Sequence, residues 1–301
     1  DKSNSNQLWN LFQDKDGIIW SPNQGGSILK LNPVTDELIV FKDSLIRGNI
    51  NQIQRDEDSN IWMGHWSKGL IKIESATNKI TSYKKYNRSD FNPWRRATCF
   101  LFDGDSIWVG TAVNGLQLFD KKTETFIESF MLDEKNNQSI SSNNITGIVA
   151  YNKDTLLLGT QGGINIFDKN KKIFTAITSK EGLPNNLVQA IALDDNKNLW
   201  AAFYGGLCKV DMHTLAVTNY DEDDGVINDR FNNRFLRLQD GRFMIGTSES
   251  FMLFNPAKIA EANVAPDVTI TGFKVFDKNI ITDSIVNTDK EISLSYADNS
   301  F

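Results

Sequence analysis

Apolar and polar residues alternate in short runs along almost the whole chain, and nowhere do apolar residues recur at helical spacing. "INQIQRD", "LVQAIALD", "SIWVGT" and "GLCKVD" have this period of two and are bounded by Asp, Asn, Gly or Ser clusters, the pattern of half-buried strands. Six segments align on one another: "GIIWSPNQGGSILKLN", "NIWMGHWSKGLIKIE", "SIWVGTAVNGLQLFD", "TLLLGTQGGINIFD", "NLWAAFYGGLCKVD" and "RFMIGTSESFMLFN". They put Trp20, Trp62, Trp108, Leu157, Trp200 and Met244 in one column, at spacings of 42, 46, 49, 43 and 44 residues. That period is propeller-sized.

Each copy predicts four strands. The first two form a hairpin across turns such as "DKDG", "DEDSN", "DDNKN" and "QDGR". A loop ending in glycine (Gly26, Gly69, Gly115, Gly163, Gly206) leads to the third strand. A turn often bearing threonine (Thr35, Thr77, Thr123, Thr214) leads to a fourth, which carries Phe41, Tyr83, Phe126, Phe174 or Tyr220. A four-stranded sheet of this kind buries its faces only against neighbours, and radial stacking achieves that while leaving short edges. The expected fold is therefore all-β, a β-propeller of four-stranded blades over residues 1–263 with six repeats visible. An indole recurring once per blade reads as a spacer between sheets. Trp66 does not recur in this way.

Composition narrows the function. The 301 residues are 40% hydrophobic, and 32 basic against 38 acidic residues leave a net charge of −6, which argues against nucleic acid and anionic membrane as partners. No apolar run reaches transmembrane length, and the start "DKSNSNQLWN" has neither Met nor a signal-peptide pattern, so the sequence reads as a piece of something larger. Cys99 and Cys208 replace apolar residues in strand-like runs and read as buried small hydrophobes. His65 and His213 lack ligand spacing, so no metal and no cofactor are expected. "DEDDG" at 221–225 resembles the head of a calcium loop but has Asn232 at the closing position, and reads as a solvated loop.

The segment "EGLPNNLVQAIALDDNKNLWAAFYGGLCKVD", 181–211, resembles the two-component-regulator propeller repeat almost position for position, with Ala202 departing from the usual Gly-Thr. "DGVINDRFNNRFLRLQDGRFMIGTSESFMLFNP" is similar to the last repeat of such sensors, and "APDVTITGFKVFDKNI" with "ISLSYADNSF" is similar to the opening strands of the triple-tyrosine domain, an immunoglobulin-like β-sandwich, here 264–301 and truncated. The resemblance implies a seven-bladed propeller with one blade missing before Asp1. It also implies the periplasmic, oligosaccharide-sensing part of an inner-membrane hybrid histidine kinase that controls polysaccharide-utilisation genes. Such a receptor would work as a homodimer and reach the membrane only through a segment absent here.

Strand order sorts candidate ligand residues by face. Loops between second and third strands, and loops between blades, emerge on one side, and the hairpin turns emerge on the other. The loop side collects Arg47, His65, Trp66, Trp94, Arg95, Arg96, Tyr204, Arg230 and Arg234 as candidate ligand-binding residues. Trp94 beside two arginines suits an acidic oligosaccharide, the indole covering a sugar face while guanidinium forks a carboxylate or sulfate. Packing between loops is the competing and favoured reading for Trp94, His65 and Trp66. Catalysis by a propeller lyase or glycoside hydrolase would need paired carboxylates; Asp90, Asp229 and Glu249 are available but form no repeated pattern. A protein-interaction scaffold is the third reading.

Overall fold

The computed structural model describes residues 12–23, 27–83, 96–227, 230–231, 234–247, 249–259, 273–275 and 278–281. Its contacts divide the chain into two units, Asp1–Ala257 and Lys258–Phe301, six residues earlier than the boundary expected from sequence. In the second unit Phe273–Val275 pairs antiparallel with Lys278–Ile281.

The first unit is a propeller of six antiparallel sheets with no α-helix among the described residues. Blade 1 comprises Phe12–Gln13, Ile19–Pro22, Ser27–Asn32 and Glu37–Lys42, and blade 2 Ile50–Arg55, Ile61–His65, Gly69–Ile73 and Ile80–Tyr83. Blade 3 comprises Ala97–Asp103, Ser106–Thr111, Leu116–Asp120 and Thr125–Phe130, and blade 4 Ile145–Asn152, Thr155–Thr160, Gly163–Asp168 and Ile173–Ile177. Blade 5 comprises Ala190–Leu193, Leu199–Phe203, Gly206–Val210 and Val217–Tyr220. Blade 6 shows three strands among the described residues, Phe235–Arg237, Phe243–Gly246 and Phe251–Phe254. The first strand of each blade touches the first strand of the next from blade 2 to blade 6, so these strands line the central channel.

The tryptophan column is architecture. Trp20, Trp62, Trp108 and Trp200 are all buried, and each sits in a core shared with the following blade or at its edge. Each indole N–H also donates to a hairpin aspartate: Trp20 to Asp14 at 2.9 Å, Trp62 to Asp56 at 2.7 Å, Trp108 to Asp103 at 2.9 Å and Trp200 to Asp194 at 3.0 Å. Asp56 and Asp194 additionally accept the backbone N–H of Asn60 and Asn198, so one carboxylate fastens both the hairpin turn and the blade spacer. Fourth-strand aromatics stack on three of the indoles, Phe41 on Trp20, Tyr83 on Trp62 and Tyr220 on Trp200. In blade 3 a register shift between Leu118 and Phe119 changes the partner: Trp108 tilts against Phe130, and Phe126 packs on Phe119. Gly115, at φ +64°, brings the third strand so close to the fourth that a Cβ would stand 2.0 Å from the Phe130 carbonyl oxygen.

The two end blades each leave an apolar face uncovered. In blade 6, Met244 occupies the tryptophan column and pairs across the sheet with Leu236 and Leu253, which remain 51% and 41% exposed. In blade 1 the opposite face carries Leu31 between Ile19 and Leu38, and Leu29 beside Val40, with Leu38 56% exposed. Cys99 and Cys208 are buried free thiols, pushed up by burial to pKa values of about 11 and about 12. The acidic run at 221–225 forms a tight turn in which Asp221 accepts from the Asp223 N–H and Asp224 accepts from the Asp221 N–H.

Candidate functional site

The loop side of the channel gathers most of the described candidates, but not in equal roles. His65 is a correction. It ends the second strand of blade 2 fully buried, and its Nδ1 accepts the Ser67 and Lys68 backbone N–H groups at 3.0 and 3.2 Å. With Nδ1 accepting, the ring proton is assigned to Nε2, which faces the Arg47 carbonyl at 3.1 Å. The imidazole therefore ties the loop after its strand to the loop between blades 1 and 2, and presents nothing to a ligand. Gly48, at φ +122°, lies against the ring, where a Cβ would sit 3.0 Å from Cε1.

Trp66 is different, being 36% exposed. Its backbone N–H donates to Asn49 O at 2.9 Å, which fixes the residue at the rim, and the Arg96 guanidinium lies 3.3 Å above its ring centroid. This is a stacked cation–π pair joining blades 2 and 3. The arginine covers one face of an indole that the sequence left open between packing and ligand, so the composite surface is a guanidinium backed by an aromatic ring. Arg47, exposed in the neighbouring inter-blade loop, adds a second cation on this side.

On blade 5, Tyr204 is 67% exposed in the loop after the second strand and forms an antiparallel bridge with Arg230 of the loop leading to blade 6. The sequence placed these two on one face without pairing them. Arg234 behaves otherwise: it is half-buried, and its Nη2 donates to Gln52 Oε1 of blade 2 at 2.7 Å, with the Thr98 carbonyl of blade 3 at 3.5 Å. Trp94 and Arg95 lie outside the described residues, as do Asp90 and Asp229; Glu249 is exposed in blade 6.

Gln52 was missed. It stands where Cys99, Gly147 and Ala190 stand in other blades, so a long amide in a column of small side chains was the available signal. Its amide pairs both ways with blade 3, Nε2 donating to Phe100 O at 3.0 Å and Oε1 accepting the Phe100 N–H at 2.6 Å. On the turn side, a cleft of about 280 Å³ opens between blades 1 and 2 against Trp20, Lys30 and Asn78, but its Arg55 is already paired with Asp14 and Asp16.

The two component regulator propeller family matches residues 182–205, from the loop leading into blade 5 to the loop after its second strand. Over 98% of its length the chain is 27% identical to histidine kinase P4 of Formosa agariphila, of which it spans 26%. Among solved structures it is similar to the extracellular domain of a hybrid two component system from B. thetaiotaomicron, with TM-score 0.66 and 20% identity over 84% of this chain and 34% of that one. A second extracellular domain from that organism gives TM-score 0.62 and 14% identity over 92% and 44%. Virginiamycin B lyase from Staphylococcus aureus gives TM-score 0.64 and 13% identity over 84% and 81%. These structures share the propeller fold with this chain, which spans under half the length of the kinase and of both extracellular domains.

Proposed function

We propose that the chain is the ligand-sensing part of a hybrid two-component histidine kinase, held outside the cytoplasm, and that it binds an oligosaccharide on the loop side of its channel. The likeness to histidine kinase P4 and to the B. thetaiotaomicron extracellular domains supports the sensor role. The observation that carries the site is the Arg96 guanidinium lying over Trp66 at 3.3 Å on the rim of the channel, with the exposed Tyr204 bridged to Arg230 also on the loop side. An aromatic-backed guanidinium satisfies ring hydroxyls and acid groups alike. The hairpin at Phe273–Val275 and Lys278–Ile281 supports reading 264–301 as the start of the sandwich through which binding reaches the membrane. Ligand acts by favouring one arrangement of these parts over another.

A calorimetric screen of acidic and neutral oligosaccharides tests this. Arg96→Gln and Trp66→Ala should each weaken binding about tenfold or more, since a charge-assisted hydrogen bond contributes about 1.5–3 kcal/mol. Asp16→Asn on the turn side should leave affinity unchanged. Ligand contacts confined to the turn side, or no glycan bound by the whole receptor, would remove the proposal.

A further inference from the structure

Arg234 directly precedes the first strand of blade 6, yet its guanidinium meets blades 2 and 3. Both acceptors lie near the starts of channel-lining strands, Gln52 in Ile50–Arg55 and Thr98 in Ala97–Asp103, so the side chain crosses the loop-side mouth of the channel. Thr98 is two residues from Arg96, so the crossing arrives beside the Trp66 stack.

Both acceptors are neutral amide oxygens, and no carboxylate among the described residues pairs with Arg234. A half-buried guanidinium without a counter-charge is costly. Burial accordingly lowers its pKa from the ordinary value, with the Cys99 thiol acting the other way. A structural tie alone does not need that charge. At the same level the channel strands are tied by neutral side chains, Asn51 Nδ2 donating to Ala97 O at 2.9 Å and Thr98 Oγ1 to Ile145 O at 2.5 Å. Gln52, itself locked to Phe100, engages only Nη2. Nη1 and Nε have no hydrogen-bond partner among the described residues and keep their N–H groups as donors for an acid group.

We infer that Arg234 is an anion anchor at the channel mouth, receiving the carboxylate or sulfate of a ligand whose remainder rests on the Trp66–Arg96 rim. The inference rests on the sensor reading above and gives that site its ligand class, an acidic oligosaccharide.

Thermal shift and calorimetry on the 301-residue chain test it, with sodium sulfate, sodium glucuronate and glucose as probes at fixed ionic strength. Sulfate or glucuronate should raise the melting temperature above the chloride reference while glucose does not, and the stronger of the two names the acid group. Arg234→Gln should fold and weaken the acidic probe more than tenfold. Gln52→Glu, which supplies an internal carboxylate to the same guanidinium, should also abolish acid binding; it decides the matter if Arg234→Gln does not fold. Equal binding of acidic probes by wild type and both variants overturns the anchor, as does a wild type indifferent to acid. A neutral oligosaccharide bound equally well by wild type and Arg234→Gln removes the anchor and leaves the sensor reading standing. Arg234-dependent acid binding without any oligosaccharide bound by the whole receptor does the reverse.

Discussion

His65 in blade 2 and Thr160 in blade 4 hold equivalent positions and do the same work: Thr160 Oγ1 accepts the Gly162 N–H at 3.0 Å, as His65 Nδ1 accepts Ser67 and Lys68. Thr111 and Thr247 repeat the device, accepting from Asn114 and Ser250. His65→Ala should therefore cost about 1–3 kcal/mol, the range for stranding buried hydrogen-bonding partners, as read from the urea midpoint. Oligosaccharide affinity of the folded variant should stay within twofold. An unchanged midpoint with lost affinity would return His65 to the ligand.

The aspartate–tryptophan pairs should be strong points of the fold. Asp56→Ala strands the Trp62 indole N–H in a buried site and should cost about 1–3 kcal/mol. Trp108→Ala opens a cavity between blades 3 and 4 and should cost about 3–5 kcal/mol. Denaturant titrations check both, and a Trp108→Ala protein as stable as wild type would contradict the spacer role.

Acid should weaken the same pairs. Burial alone would raise the pKa of Asp14, but the Trp20 indole, the Ile18 and Asp16 N–H groups and Arg55 outweigh it, and the net shift is downward. At Asp103 burial likewise raises the pKa, and Lys169 and Trp108 reverse it. A depressed folded pKa gives stability that is complete above the unfolded value near 4 and is lost as pH falls through the lower folded value. The contribution of Asp103 should therefore be constant from pH 7 to about 5 and decline below about 4. Asp103→Asn should be less stable than wild type at neutral pH and lose less on acidification, measured as melting temperature against pH.

A further four-stranded repeat, implied by the family resemblance, would cover the exposed rows on blades 1 and 6. In the 301-residue chain, Leu38→Ser and Leu253→Ser should each change stability by less than about 0.5 kcal/mol, as exposed positions do. In a longer chain that includes the additional repeat, the same substitutions should cost about 1–3 kcal/mol. Equal small effects in both would mean that no blade covers these rows.

The repeat was legible because its device is local: Asp56 lies six residues before Trp62, and Asp194 six before Trp200, so pairing and spacing are written in adjacent sequence. The channel mouth was less legible. Arg96 and Arg234 were recognisable as cations on the loop side, but nothing in sequence placed one on Trp66 and the other on Gln52, because those contacts join different blades. For His65 the sequence left packing and ligand open, because an imidazole in a threonine column looks like chemistry until its two nitrogens are seen bonded to backbone.

The Arg234–Gln52 bond spans 182 residues of sequence, against six for an aspartate–tryptophan pair. Contacts of such long separation form only after the intervening chain has ordered, since loop-closure entropy is met first by the local hairpins. The crossing is thus expected to form late in folding, after the transition state. Its loss should leave the refolding rate nearly unchanged and speed unfolding, so the side chain that spans the channel also sets how long the assembled blades persist.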